Sequence, residues 1–88
     1  MIRYYVGQKW KGKGSVIGSK ELWQITLITK CTDEDGISRT NARITKISDP
    51  LRPNYYNLEI TNPENNSILD HWIPLLYDDE EFIKFMSN

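Results

Sequence analysis

Apolar and polar residues alternate with a period of two in three stretches of the chain. In Leu22–Cys31, Trp23, Ile25 and Leu27 alternate with Gln24 and Thr26. That spacing predicts a strand with those three apolar side chains on one buried face. Closely spaced Ile and Thr residues oppose a helix there, because β-branched side chains crowd the preceding turn. Asp33-Glu34-Asp35-Gly36 follows as a turn, with Gly36 able to take a positive φ. Ile37–Ile47 then returns as a second strand, with Ala42, Ile44 and Lys46 on one face and Arg43, Thr45 and Ile47 on the other. Tyr55–Thr61 is the third, with Tyr56, Leu58 and Ile60 inward and Asn57 and Glu59 outward.

The remaining segments carry weaker patterns. Tyr4–Trp10 reads as a short strand kinked at Gly7. Lys11–Ser19, with Gly12, Gly14 and Gly18, reads as a loop. Pro50 and Pro53 make Ser48–Asn54 a loop, and Asn62–Asn66 is a turn. Ser67–Ile73 is expected to be a fourth strand, with Ile68 and Trp72 on one face and Leu69, His71 and Ile73 on the other, ended by Pro74. Asp78–Met86 is expected to be a short C-terminal helix, capped by Asp78 or Asp79, with acids in its first turn. A flat sheet of this size would leave an apolar face wet, so the strands should curl. The predicted fold is mainly β (α+β): one domain over residues 1–88, a small antiparallel meander or barrel of four to five strands with a C-terminal helix.

Three features carry a family resemblance. Tyr5-Val6-Gly7-Gln8-Lys9-Trp10 places an aromatic, a Val and a Gly in an opening turn. The meander Leu22–Cys31, Ile37–Ile47 and Tyr55–Thr61 follows, and a short final strand ends at Trp72-Ile73-Pro74-Leu75. Over about residues 4–76 this layout resembles the Src-homology-3-like and Tudor-like small barrels. The resemblance implies a peptide- or nucleic-acid-binding module.

Composition narrows the function classes. With 88 residues there is room for one domain. Three Trp and five Tyr can bury much area per residue. The single cysteine, Cys31, permits no intramolecular disulfide and no cysteine-based zinc site, which fits a reducing compartment. The N-terminus lacks the apolar run of a signal peptide. No apolar stretch reaches the roughly 18 residues needed to cross a membrane. A cytoplasmic location is therefore expected. The chain reads as a complete small protein, rich in Ile, Lys, Asn and Tyr, with Ala42 its one alanine. That bias belongs to AT-rich genomes and suggests a phage, plasmid or other mobile element.

The net charge of −1 conceals an asymmetry. Residues 1–46 carry nine basic against four acidic residues, a balance of +5; residues 47–88 carry two against eight, a balance of −6. Such halves can attract within one fold or give the surface a basic and an acidic side.

No catalytic, cofactor or metal constellation assembles from these residues. The glycines at 12, 14 and 18 match neither phosphate-binding spacing, and a strand rather than a helix follows them. His71, the one histidine, sits beside Asp70, but neighbours on a strand point to opposite faces. Cys31 and Ser67 are nucleophiles in principle only. The acids 78–81 lack the alternating ligands and Gly turn of a calcium loop. Tyr55, Tyr56, Trp72 and Asp70 could form a cage for a methylated cation, although alternation favours a core place for Tyr56 and Trp72.

The expected function is that of a non-enzymatic protein-binding module, a small phage-encoded protein that binds and modulates or inhibits a host protein. The expected contact residues are Lys9, Trp10, Lys11 and Lys13, and separately Asp78, Asp79, Glu80 and Glu81. The alternative is nucleic-acid binding by the 9–20 segment, its cations on phosphates and Trp10 stacked on bases. A pI near 5.7 weighs against that alternative.

Overall fold

The computed structural model of the chain describes residues 3–75. The expected helix over 78–86 and the acids Asp78, Asp79, Glu80 and Glu81 lie outside them. Five strands and one short helix make up the described residues. They are β1 (Lys9–Gly12), β2 (Leu22–Thr32), β3 (Ser38–Lys46), β4 (Tyr55–Glu59), α1 (Ser67–His71) and β5 (Trp72–Pro74). All pairings are antiparallel, and the strand order is β4-β3-β2-β1-β5. After the meander, α1 carries the chain across so that β5 pairs on the far side of β1, and the sheet curls into a half-barrel. The protein is mainly β, with its short helix near the C-terminal end of the described residues.

The hairpin of β2 and β3 follows from its turn. Gly36 has φ 79°, and its N–H donates to the Asp33 carbonyl at 3.0 Å. Asp33 Oδ1 accepts from the N–H groups of Asp35 (3.0 Å) and Ile37 (2.9 Å), an Asx turn that fixes the reversal. The Ile37 N–H is the main reason the Asp33 carboxyl titrates below its usual range; desolvation opposes it, and Arg39 and the Asp35 N–H lower it further.

The curled face holds the core. Trp10, Trp23, Ile25, Ala42, Ile44, Ile60, Ile68 and Trp72 are buried together, with Ile17 beside them and Ile28 and Leu58 packed at the margin. Each large apolar side chain here contributes roughly 1.5–3 kcal/mol of burial. The aromatic rings touch edge to face, with Trp23 and Trp72 5.3 Å apart and Tyr56 5.7 Å from Trp72.

Three expectations are corrected. First, Leu27 is not on the core face. The pairing runs Ile25↔Ile44 and then Leu27↔Arg43, so Thr26 and Leu27 together oppose one residue of β3. This β-bulge reverses the alternation: Leu27 turns out, 43% exposed, and Ile28 turns in opposite Ala42. Second, Ser67–His71 is a helix. Asn66 caps it by accepting from the Ile68 N–H at 3.0 Å, and the Asn66 amide also donates to the Tyr4 hydroxyl (2.8 Å) and the Asn62 carbonyl (2.9 Å). The four-residue spacing of Ile68 and Trp72 suits one face of a helix as well as one face of a strand. Only Trp72–Pro74 continues as a strand, against β1.

Third, the first strand is Lys9–Gly12 rather than Tyr4–Trp10, and the loop expected from Lys11 starts only at Lys13. Tyr5–Gln8 is a turn around Gly7 (φ 98°), whose N–H donates to the Ile25 carbonyl at 2.8 Å. Gly12 is required because a Cβ there would overlap the Gly18 carbonyl oxygen of the loop that folds back on it. That loop is tied down: Lys13 N–H donates to the His71 carbonyl (2.8 Å), Gly14 N–H to the Ile17 carbonyl (2.8 Å) and Gly18 N–H to Glu21 Oε2 (2.6 Å).

Candidate protein-binding surface

The burial of β1 decides what its residues can contact. Trp10 is 0% exposed, paired with Trp23 on β2 and Pro74 on β5, and stacked on Tyr4 at 5.8 Å. Its ring therefore offers no face to a base or a partner. Lys9 and Lys11, its neighbours on the strand, belong to the opposite face of the sheet. Both are half-buried, and desolvation pushes the Lys9 ammonium below its ordinary value. Lys13 is exposed and donates from Nζ to the Leu69 carbonyl at 3.3 Å. The structure thus keeps Lys9 and Lys11 on one face, sends Trp10 to the other and places Lys13 in the following loop.

The outer face of the sheet gathers residues that the linear sequence scatters. The register aligns Lys9 with Gln24, Gln24 with Thr45 and Thr45 with Tyr55, one row across four strands. A second row sets Leu27 beside Arg43 and Arg43 beside Asn57. The rows are joined through side chains. The Arg43 guanidinium lies 4.7 Å over the Tyr55 ring, and its Nε donates to Asn57 Oδ1 at 3.1 Å. The Thr26 and Thr45 hydroxyls are 2.8 Å apart, and Gln24 Nε2 donates to the Gly7 carbonyl at 3.3 Å. Tyr55 is 55% exposed, so an aromatic ring held under a cation stands open on the same face as Leu27, across β3 from it. Ile73 on β5, opposite Lys11, adds an exposed apolar side chain to the same face.

These residues escaped sequence reasoning for a reason. Arg43 was legible as outward, but Leu27 was displaced by the bulge, and Tyr55 precedes the inward Tyr56 with no local mark of its own. A pairing register alone reveals that Lys9, Arg43 and Tyr55 share a face.

The other candidates do not assemble. Tyr55 and Tyr56 are on opposite faces, Trp72 is 3% exposed and Asp70 is out in solvent, so these four residues enclose no cation. Tyr56 is the half-exposed rim of the core cluster. Ser67 and His71 are one helical turn apart, but no hydrogen bond joins them; Cys31 is exposed on the distant hairpin. Among the described residues no group of three or more His, Cys, Asp or Glu side chains is arranged to hold a metal ion. No helix of the described residues is long and apolar enough to cross a membrane. Comparison with protein-family models, with curated proteins and with solved structures finds no match to the chain.

Proposed function

We propose that the protein is a non-enzymatic binding module whose outer sheet face docks another protein. The small-barrel resemblance is part of this proposal, and the strand order with a short helix before the last strand supports it. The carrying observation is the prearranged Tyr55–Arg43–Asn57 group beside exposed Leu27, with Lys9 in the same row as Tyr55. Aromatic and arginine side chains that are already ordered lose little entropy on binding and commonly anchor interfaces. The cations Lys9 and Arg43 around apolar Leu27 and Tyr55 suit a partner that presents carboxylates beside an apolar anchor. The finer reading is a phage-encoded, cytoplasmic protein that binds and inhibits a host protein; its support is the compositional bias of the chain.

The test is a tagged pull-down from a bacterial lysate, with and without nuclease, using wild type, Tyr55→Ala with Arg43→Ala, and Lys9→Glu. One stoichiometric protein retained in both wild-type runs and lost in the double variant supports the reading. Retention that vanishes with nuclease, and binding that falls steeply with salt, would replace it with nucleic-acid binding.

A further inference from the structure

The two edges of the sheet are built differently. The β5 edge is three residues long and contains Pro74, two features that discourage another strand from adding there. The β4 edge, Tyr55–Glu59, has no proline, lysine or bulge, and its residues are exposed apart from the half-buried Leu58. Its one charge, Glu59, is held by Arg39 at 3.0 Å.

The hydrogen-bond direction along β4 can be worked out. Lys46 N–H donates to the Asn54 carbonyl and Ile60 N–H to the Thr40 carbonyl, each at 2.8 Å, while Tyr56 is opposite Ile44 and Leu58 opposite Ala42. The even-numbered residues therefore bond to β3, and the backbone groups of Tyr55, Asn57 and Glu59 point away from the sheet. The Tyr55 N–H is taken by Asn54 Oδ1 at 2.9 Å. The Tyr55 carbonyl and both backbone groups of Asn57 and Glu59 make no hydrogen bond among the described residues.

We propose that β4 pairs antiparallel with β4 of a second copy of this chain, about a two-fold axis through Asn57. The five residues are self-complementary in that register. Asn57 meets its own counterpart, and the two exchange both backbone bonds. The Glu59 N–H reaches the Tyr55 carbonyl of the other copy. On the core side, half-exposed Tyr56 meets the other copy's Leu58, extending the aromatic cluster across the axis. On the outer side, Tyr55 with Arg43 above it meets the other copy's Glu59, so a cation faces a carboxylate at both ends of the pairing. No like charges are opposed. The contact is isologous and closes as a dimer, with one continuous ten-stranded sheet. The pairing is made by the backbone of the strand edge and borders the Tyr55–Arg43 group of the outer face. Self-association of the purified chain is measured with no target present, so its outcome is distinguishable from that of target binding.

The experiment is analytical ultracentrifugation of the purified chain over a concentration series, with two variants. Wild type should sediment as a species of twice the 10.3 kDa chain mass. Asn57→Pro removes an N–H that points away from β3 and leaves the β3 pairing intact. It should weaken dimerisation at least about tenfold while near-ultraviolet circular dichroism of the Trp cluster is retained. In a Cys31→Ser background, Asn57→Cys should cross-link under oxidation, because Cα atoms in such a pair are about 5.5 Å apart, within disulfide range. A wild type that stays monomeric to about 1 mM would overturn the proposal. So would a dimer that persists in Asn57→Pro, or one in which Asn57→Cys fails to cross-link. If Asn57→Pro does not fold, the cross-link decides.

Discussion

The two faces of the β2–β3–β4 sheet are made of similar residue types and do opposite things. The inner face carries Trp23, Ile25, Ala42 and Ile44, each at most 1% exposed. The outer face carries Leu27 and Tyr55 at 43% and 55% exposure, with Arg43 and Asn57 between them. Inside, aromatic rings pack against other rings and aliphatics. Outside, an aromatic ring is covered by a guanidinium and bounded by amide and hydroxyl groups. An apolar side chain stabilises the fold where it removes area from water on folding, and serves recognition where that removal is deferred to binding. The bulge at Thr26 and Leu27 moves a residue from the first role to the second.

Substitutions can break this division from the core outward. Trp23→Ala should have the largest effect, a loss of about 3–5 kcal/mol, because it empties a site between Trp72, Tyr56 and β3. A domain this small should then be largely unfolded at 25 °C, seen as loss of the cooperative urea transition. Gly12→Ala is next, at about 1–3 kcal/mol, since the added methyl meets backbone of the folded-back loop rather than a movable side chain. Thermal melts monitored by Trp fluorescence would read it.

On the outer face the order of effects reverses. Tyr55→Ala should change stability by no more than about 0.5–1 kcal/mol but weaken partner binding at least about tenfold. Comparable losses in both, measured by urea titration and by calorimetric binding to the captured target, would erase the distinction between the faces.

The smallest effect is expected at the hairpin tip. The folded Asp33 carboxyl titrates below its unfolded value, so its contribution is present above the ordinary carboxylate range and is lost as pH falls through the lowered folded value. Asp33→Asn should flatten that acid limb and leave neutral-pH stability little changed. Urea midpoints between about pH 6 and about pH 2 would show it. Equal acid sensitivity in both proteins would assign the limb to other carboxylates.

How far the sequence reached depends on segment length. β2, β3 and β4 were legible because each repeats its alternation enough times to exclude a helix, and Asp33–Gly36 was legible because its chemistry is local. Asn66 as a helix cap was legible in principle, three residues after Pro63, but Ile68 and Trp72 satisfy both periodicities. Of the expected contacts, the cationic character of Lys9 and Lys13 could be read, whereas the burial of Trp10 could not. A four-residue strand is too short to fix its own bounds in sequence, so Lys9 and Trp10 read as the end of one strand and Lys11 and Gly12 as the start of a loop.

The sequence by itself therefore determined a β-rich chain with one secure hairpin, a third strand and an aromatic core. Local preferences and the period of two act over neighbouring residues, and they suffice for those features. Only the tertiary structure decided that β1 lies between β2 and β5, that α1 replaces a strand, that the bulge turns Leu27 out, and that Lys9, Arg43 and Tyr55 share one face. Each of these depends on which backbone groups find partners across the sheet, and those partners are up to some sixty residues apart in the chain.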